Sequence, residues 1–318
     1  MERKVLILTD GKAGHENQSK AFARALGCDS DLVEIHFKSA FHKALSYLFD
    51  RLGIHTLSLF APHSPLPTNR EPRTTNHAYA AVLGTGSGTF YAAKSLARKM
   101  GVKCGVVLYP RGYRIASFDC VLAPAFDRPS PAPNVITIPV NLVASDEAFY
   151  AAGTEAFRAR YTPSEKPAVA VIVGGPNKCS TMSADWMHTQ LEQIFATYTP
   201  TGYEIWVTTS RRTPPDVEAV VDSFPFDYKL LYSKDHFNPI PAFVKLARTL
   251  YVTAESTGMI SESCTFGTAE VRVLDNLKPG PHKFRRFVED LARGGYVDGA
   301  RKVDLSEQFT RARQLLNL

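Results

Sequence analysis

The chain has little cysteine, and none of it is arranged for bonding or for metal. Its five cysteines (Cys28, Cys104, Cys120, Cys179 and Cys264) are scattered and odd in number, with no CxxC pair and no histidine at ligand spacing. That pattern argues against a disulfide framework or a zinc site and predicts reduced, mostly buried thiols. Long apolar runs are missing too. Met1-Glu-Arg-Lys4 leads straight into Val5-Leu-Ile-Leu8, a run too short for a signal peptide or a membrane span. A cytoplasmic protein is expected, able to touch the membrane from that side. There is no short-period repeat and no low-complexity tract. Nor is there a strong excess of one charge: 37 Lys plus Arg against 31 Asp plus Glu leave +6 over 318 residues. That balance favours an anionic ligand or surface without identifying one, and solvated surface lysines explain it equally well.

What is present is alternation. The hydrophobic pattern predicts two successive runs of strands and helices, the mark of α/β architecture with parallel sheets covered on both faces. In the first run strands are predicted at Val5–Thr9, Leu32–His36, Ala80–Leu83, Cys104–Leu108, Cys120–Ala123 and Val135–Ile138, with helices at Glu16–Leu26 and Thr89–Met100. His55–Asn76 and Pro124–Pro139 read as irregular. A helix near Ser145–Arg160 and the turn Thr162–Pro167 predict a domain boundary, giving domains of residues 1–162 and 163–318. The second run has strands at Ala168–Val173, Glu204–Thr208, Lys229–Leu231, Thr249–Thr253 and Val271–Leu274. Its helices are predicted at Ala184–Ala196, Pro214–Ser223, Ile240–Leu246 and Gly258–Phe266, with two more near Lys283–Arg293 and Ser306–Leu316 in the tail. Two Rossmann-like domains facing across a cleft are expected, with ligands at the carboxyl ends of the strands.

The chemistry gathers at predicted strand ends. After the first strand, Thr9-Asp-Gly-Lys-Ala-Gly-His-Glu-Asn-Gln18 offers Asp10, Lys12, Gly14, His15, Glu16 and Asn17. Its spacing is not that of the GxGxxG dinucleotide fingerprint. An imidazole ordinarily titrates near neutrality, so His15 can take a proton from an acceptor hydroxyl; Asp10 can do so instead or orient the ring. The plainer reading is a pair of turn caps and a solvated histidine. The loop Gly84-Thr-Gly-Ser-Gly-Thr89 lacks the lysine of an ATP-hydrolysing P-loop, but Gly84, Gly86 and Ser87 can cradle an anion or admit an acceptor.

In the second run, Val173-Gly-Gly-Pro-Asn-Lys178 supplies Gly174, Gly175 and Lys178. Thr208-Thr-Ser-Arg-Arg-Thr-Pro214 supplies Thr209, Ser210, Arg211 and Arg212, whose guanidinium groups suit a diphosphate. Thr253 to Gly267 reads as a strand breaking into a turn that opens a helix. There Ser256, Thr257 and Gly258 cap the helix and leave its first N–H groups free for an anion, and Gly267 ends it. Glu262, one turn in, can accept from ribose hydroxyls or be a solvated helix residue. Asp29-Ser-Asp31 precedes its predicted strand and reads as a solvated turn, not a metal clamp. His36 to Leu52 has helical spacing with Lys38, Lys43 and Arg51 beside it, compatible with anionic lipid or with ordinary core packing.

These motifs together resemble the mitochondrial-fission ELM family, whose bacterial members are described as glycosyltransferases or nucleoside-diphosphate-sugar enzymes. The resemblance rests on Leu8–Gln18, Val173–Lys178, Thr208–Pro214, Asn238-Pro239 and Met259–Glu262 and spans nearly the whole chain. More distantly, the order of loops resembles the peptidoglycan GlcNAc transferase and other GT-B glycosyltransferases. It implies a donor nucleotide held by the C-terminal domain and no obligatory metal or cofactor. His15 then matches the Gly-His position near the reacting centre, Ser256 to Met259 the turn holding the donor with Ser261 beside it, and Glu262 the ribose-binding acid. Thr268-Ala269 follows Gly267 where a Lys-Pro is common, and Glu255 stands where an Asp is common.

The expectation is a GT-B glycosyltransferase that moves a sugar from a nucleotide-diphosphate donor to a glycan or glycolipid acceptor of lipopolysaccharide or another envelope glycan. Contact with anionic membrane is expected and nucleic acid is not. A nucleotide-sugar epimerase of the same fold is the first alternative, favoured if carboxylates crowd His15; a non-enzymatic recruitment protein is the second.

Overall fold

Central strands of a parallel sheet are buried on both faces, and Val5-Leu-Ile-Leu8 and Ala168-Val-Ala-Val-Ile172, all at 3 % exposure or less, form two such strands. The structure, a computed structural model, describes residues 3–62 and 79–318. It divides into two units, residues 1–144 with 304–318, and residues 145–303.

In the first unit the described elements are β1 (Lys4–Thr9), α1 (Ala13–Ala25), β2 (Asp29–Phe37), α2 (Ala40–Arg51), β3 (Phe60–Pro62), β4 (Ala81–Thr85), α3 (Phe90–Met100), β5 (Lys103–Val107), β6 (Cys120–Pro124) and β7 (Val135–Ile138). The sheet runs β3-β2-β1-β4-β5-β6-β7, parallel throughout except for the short edge strand β3, which is antiparallel to β2. Strand order reverses between β1 and β4. In open parallel sheets such a reversal marks the usual place for a ligand, beyond the carboxyl ends of the strands. The irregular stretch expected over His55–Asn76 contains β3, and its part over 63–76 lies outside the described residues. Asp29-Ser-Asp31 opens β2 and is not a turn. Its pairing with Lys4–Leu6 lengthens the strand, and Asp31 accepts from the Tyr79 hydroxyl at 2.5 Å.

The second unit contains α4 (Glu147–Arg158), β8 (Ala168–Ile172), α5 (Ala184–Tyr198), β9 (Glu204–Thr208), α6 (Pro215–Ser223), β10 (Tyr228–Leu230), α7 (Ile240–Leu246), β11 (Thr249–Thr253), α8 (Thr257–Phe266), β12 (Glu270–Leu274) and α9 (Lys283–Arg293). Its all-parallel sheet runs β10-β9-β8-β11-β12, so its own switch point lies between β8 and β11.

The boundary falls at Ala144/Ser145, which corrects the one expected at Thr162–Pro167. That turn looks like a linker because it is proline-flanked and polar. Its backbone is nevertheless held at the start of β9, where Glu204 accepts from Ser164 N–H at 2.8 Å and from Tyr161 at 3.1 Å. The preceding α4 packs on α7 and buries Phe157 against Trp206 and Phe243. The tail is corrected as well. The last helix, α10 (Ser306–Leu316), returns to the first unit, burying Ala312 and Leu316, and Arg311 donates to Pro133 O at 2.7 Å. Amphipathic periodicity showed that this helix needed an apolar surface, not which one.

Candidate functional site

In the first unit the switch-point loops meet. Asp10, the first residue past β1, has a side chain only 6 % exposed, and it accepts from Lys12 Nζ at 2.6 Å and lies 2.9 Å from His15 Nδ1. Burial opposes its ionisation, but hydrogen bonds and charge from Lys12 and His15 outweigh that and hold the carboxyl below its ordinary value. An ionised carboxylate only accepts, so Nδ1 carries the proton and, in the neutral ring, Nε2 keeps its lone pair. Nε2 has no hydrogen bond to any described residue. The result is an oriented imidazole with its basic nitrogen available.

The loop after β4 forms the seat for this pair. Gly86 has φ +83°, and a Cβ there would stand 2.3 Å from His15 Cε1; one on Gly88 would stand 2.7 Å from Asp10 Oδ2. Side chains at either position would displace the dyad, so these glycines serve close approach. The groups that approach them are Asp10 and His15 of the same unit. Ser19 bonds Thr85 at 2.7 Å, tying α1 to the end of β4. Gly84 is buried against Thr89, whose hydroxyl bonds Thr85 O and Gly86 O, and Ser87 is exposed and meets Lys43 Nζ at 2.9 Å. Gly14 and Asn17 are exposed on the first turns of α1, and Lys12 is 67 % exposed. Glu16 pairs with Lys20 at 2.6 Å and not with His15.

In the second unit the corresponding carboxylate is Glu255, two residues past β11 and 3 % exposed. It accepts from Gly175 N–H at 2.8 Å, Thr253 Oγ1 at 3.0 Å and Asn276 Nδ2 at 2.7 Å, while Gly174 N–H donates to Thr253 Oγ1 at 2.9 Å. A Cβ on Gly174 would lie 2.0 Å from Glu255 Oε1, and one on Gly175 would lie 2.1 Å from Arg212 O. Thr213 locks the third loop down, donating to Gly174 O at 2.6 Å and accepting from Ser210 N–H at 2.9 Å. Three loops are thus fastened at the switch point by Thr253, Glu255, Asn276 and Thr213, none of which sequence reasoning assigned to the site. The signal for Glu255 was its place two residues past a buried strand, beside Ser256.

Of the predicted donor residues, Ser256 is buried at the start of α8 without a side-chain cap. The N–H groups of Thr257, Gly258 and Met259 have no backbone partner among the described residues. Gly258 is exposed, and a Cβ there would meet nothing. Ser261 is fully buried and donates to Thr257 O at 2.7 Å. Gly267 does end α8, but in extended conformation (φ −93°) and not as a left-handed cap; a Cβ would press 2.7 Å from Val244 O, so close packing on α7 selects the glycine. Lys178 is exposed.

Arg212 passes over Gly175 with its backbone carbonyl and Cβ, and Arg211 lines a cavity of about 450 Å³ with Glu218, Asp222, Tyr232 and Lys234, a lining that includes none of Gly174, Gly175 or Ser256–Glu262. Thr209 turns the same way, donating to Glu218 at 2.5 Å and accepting from Tyr232 N–H. Glu262 is not solvated. The hydroxyl of fully buried Tyr150 donates to it at 2.6 Å, and burial raises its carboxyl above the ordinary value despite that bond. Burial and the Glu262 charge push Tyr150 upward in turn.

Comparison with known proteins places this geometry. The family model described as Mitochondrial fission ELM1 matches residues 13–315 of the 318, and the chain belongs to that family. The curated proteins include no match. Among solved structures, the chain is similar to a UDP-N-acetylglucosamine 2-epimerase structure from Listeria monocytogenes at TM-score 0.51 and 11 % identity, covering 100 % of this chain and 89 % of that one. It is similar also to MurG of Acinetobacter baumannii at TM-score 0.50 and 15 % identity, covering 99 % and 92 %. Similarity at this identity establishes the fold: two Rossmann-like domains of the kind that GT-B glycosyltransferases and these epimerases share.

Proposed function

We propose that this member of the Mitochondrial fission ELM1 family is a nucleotide-sugar-dependent glycosyltransferase whose acceptor is a glycan or glycolipid of the cell envelope, lipopolysaccharide among them. The observation that carries the reading is the Asp10–His15 pair: a buried, ionised carboxylate fixing an imidazole whose Nε2 has no hydrogen-bond partner among the described residues. In this reaction the acceptor hydroxyl gives its proton to Nε2 as its oxygen attacks the anomeric carbon. The bond from that carbon to the diphosphate breaks, and the nucleoside diphosphate leaves with the electron pair. The leaving charge falls to the first N–H groups of α8 and to Arg212, so the reaction requires no metal. Glu262, with its second oxygen, accepts from the ribose.

The same fold hosts epimerases, but the second carboxylate expected beside His15 for that chemistry, Glu16, is engaged by Lys20. The test is calorimetric titration with nucleoside diphosphates and nucleotide sugars, followed by product analysis with and without membrane glycolipid extract. Sugar transfer that needs the extract supports the proposal. Conversion of UDP-GlcNAc with no acceptor present makes the protein an epimerase, and absence of nucleotide binding leaves the recruitment role.

A further inference from the structure

A surface helix ordinarily turns its apolar stripe inward. The helix α2 carries a second apolar stripe on its outer face. The residues it buries completely are Ser46 and Asp50, at 0 % and 1 % exposure. Each has a polar partner: Ser46 bonds Tyr113 at 2.7 Å, and Asp50 pairs with buried Lys94 and accepts from Arg114 N–H at 2.6 Å. Facing outward are Phe41 (68 % exposed), Leu48 (51 %) and Leu52 (63 %), with Ala44 between them and Ile54 (42 %) following. Positions 41, 44, 48 and 52 recur at helical spacing and make one continuous stripe. Four of the six exposed large hydrophobic residues among the described ones lie in this single stretch. Their exposure is not the residue of core packing, since Leu45, Tyr47 and Phe49 on the other faces already meet the core.

The charges around the stripe identify what it meets. Between residues 38 and 54 the basic side chains are Lys38, Lys43 and Arg51, and the one acid, Asp50, is buried and neutralised by Lys94. An apolar stripe along a helix axis with a basic margin and no exposed acid matches the interface of an anionic bilayer, where the helix lies flat and its apolar side chains reach the acyl boundary. No helix among the described residues is long and apolar enough to cross a membrane, so contact of this kind is peripheral.

We propose that α2 and the turn after it dock on an anionic lipid surface, with Phe41, Leu48, Leu52 and Ile54 entering it and Lys38 and Arg51 meeting the headgroups. One further step rests on the glycosyltransferase reading. Lys43 at the edge of α2 holds Ser87 of the loop that seats His15, so an acceptor carried by a lipid arrives beside the proposed base.

The experiment is co-sedimentation of the full chain with vesicles of phosphatidylcholine alone or phosphatidylcholine with phosphatidylglycerol; neither donor nor acceptor is present, so the result stands apart from the sugar-transfer reading. Binding is expected on the anionic vesicles, weakening as salt is raised. The triple change Phe41→Ser, Leu48→Ser, Leu52→Ser should weaken it about a hundredfold. Because all three side chains are exposed, its melting temperature should match the parent. The pair Lys38→Gln, Arg51→Gln should remove the preference for anionic lipid while leaving the fold intact. The proposal fails if the parent does not bind anionic vesicles, or if the triple variant binds as well. It fails also if the parent forms a dimer that the triple change abolishes, because a second copy then covers the stripe.

Discussion

Each unit carries a buried carboxylate just past a central strand at its switch point, and the two are used differently. Asp10 faces two side chains, one of them an imidazole with an open nitrogen. Glu255 faces a backbone N–H, a hydroxyl and an amide, all donors without a proton to exchange near neutrality. The first arrangement can pass a proton to a ligand; the second can only hold loops. Position in the fold therefore does not separate a carboxylate that can orient an imidazole from one that only fastens loops, but the partners do.

The largest effect that bears on this contrast is on turnover. His15→Ala should lower sugar transfer about a hundred- to ten-thousandfold while donor affinity stays near that of the parent. Asp10→Asn should act through the ring, changing the pH profile as well as the rate. If His15→Ala keeps normal turnover and Asp10→Asn abolishes it, Asp10 itself is the base. If neither matters, the first loop is architectural like the second and the contrast collapses.

Glu255→Ala should break the other arm. It removes three hydrogen bonds and strands the buried Gly175 N–H, costing about 3 kcal/mol, or about 6–12 °C in the melting of its unit. A variant that melts like the parent but loses donor binding would move Glu255 into the ligand site.

The two arms were unequally legible in the sequence. Strand and helix positions followed from apolar periodicity, and Asp10 and His15 were legible because their loop combines a short spacing with unusual residue types. Their pairing with Gly86 and Gly88 was not, since it depends on β4 lying beside β1, 66 residues apart at the Ser19–Thr85 bond. Glu255 was passed over for the neighbouring Ser256 because its three donors come from loops distant in sequence. Arg211 and Arg212 looked equivalent as adjacent guanidiniums, and what distinguishes them is the Arg212 backbone over Gly175 and the cavity that Arg211 lines.

That separation gives a smaller effect. Arg212→Ala should weaken nucleoside-diphosphate binding about tenfold, the scale of one charge-assisted hydrogen bond, whereas Arg211→Ala should change it little. Equal losses in calorimetry would return both groups to one site.

The smallest effect has a sign set by pH. Burial raises Glu262 above its ordinary value of 4.5, against the pull of the Tyr150 hydrogen bond. A group whose folded pKa is raised contributes stability fully below the unfolded value and loses it as pH climbs through the folded value. Asp10, held below 3.8, runs oppositely, contributing above that value and losing its share as pH falls through the folded one. Glu262→Gln keeps an acceptor for Tyr150 and removes the titration. It should match or slightly lag the parent near pH 4, and near pH 8 it should gain about 1 kcal/mol or less. Tyr150→Phe removes the donor and leaves the charge, so its deficit should be greater at pH 8 than at pH 4. Melting curves across this range decide the matter. A Glu262→Gln difference that does not vary with pH would mean a carboxyl titrating as if in water. Loss of donor affinity in Glu262→Gln would support the ribose contact proposed for its second oxygen, and unchanged affinity would leave Glu262 a partner of Tyr150 alone.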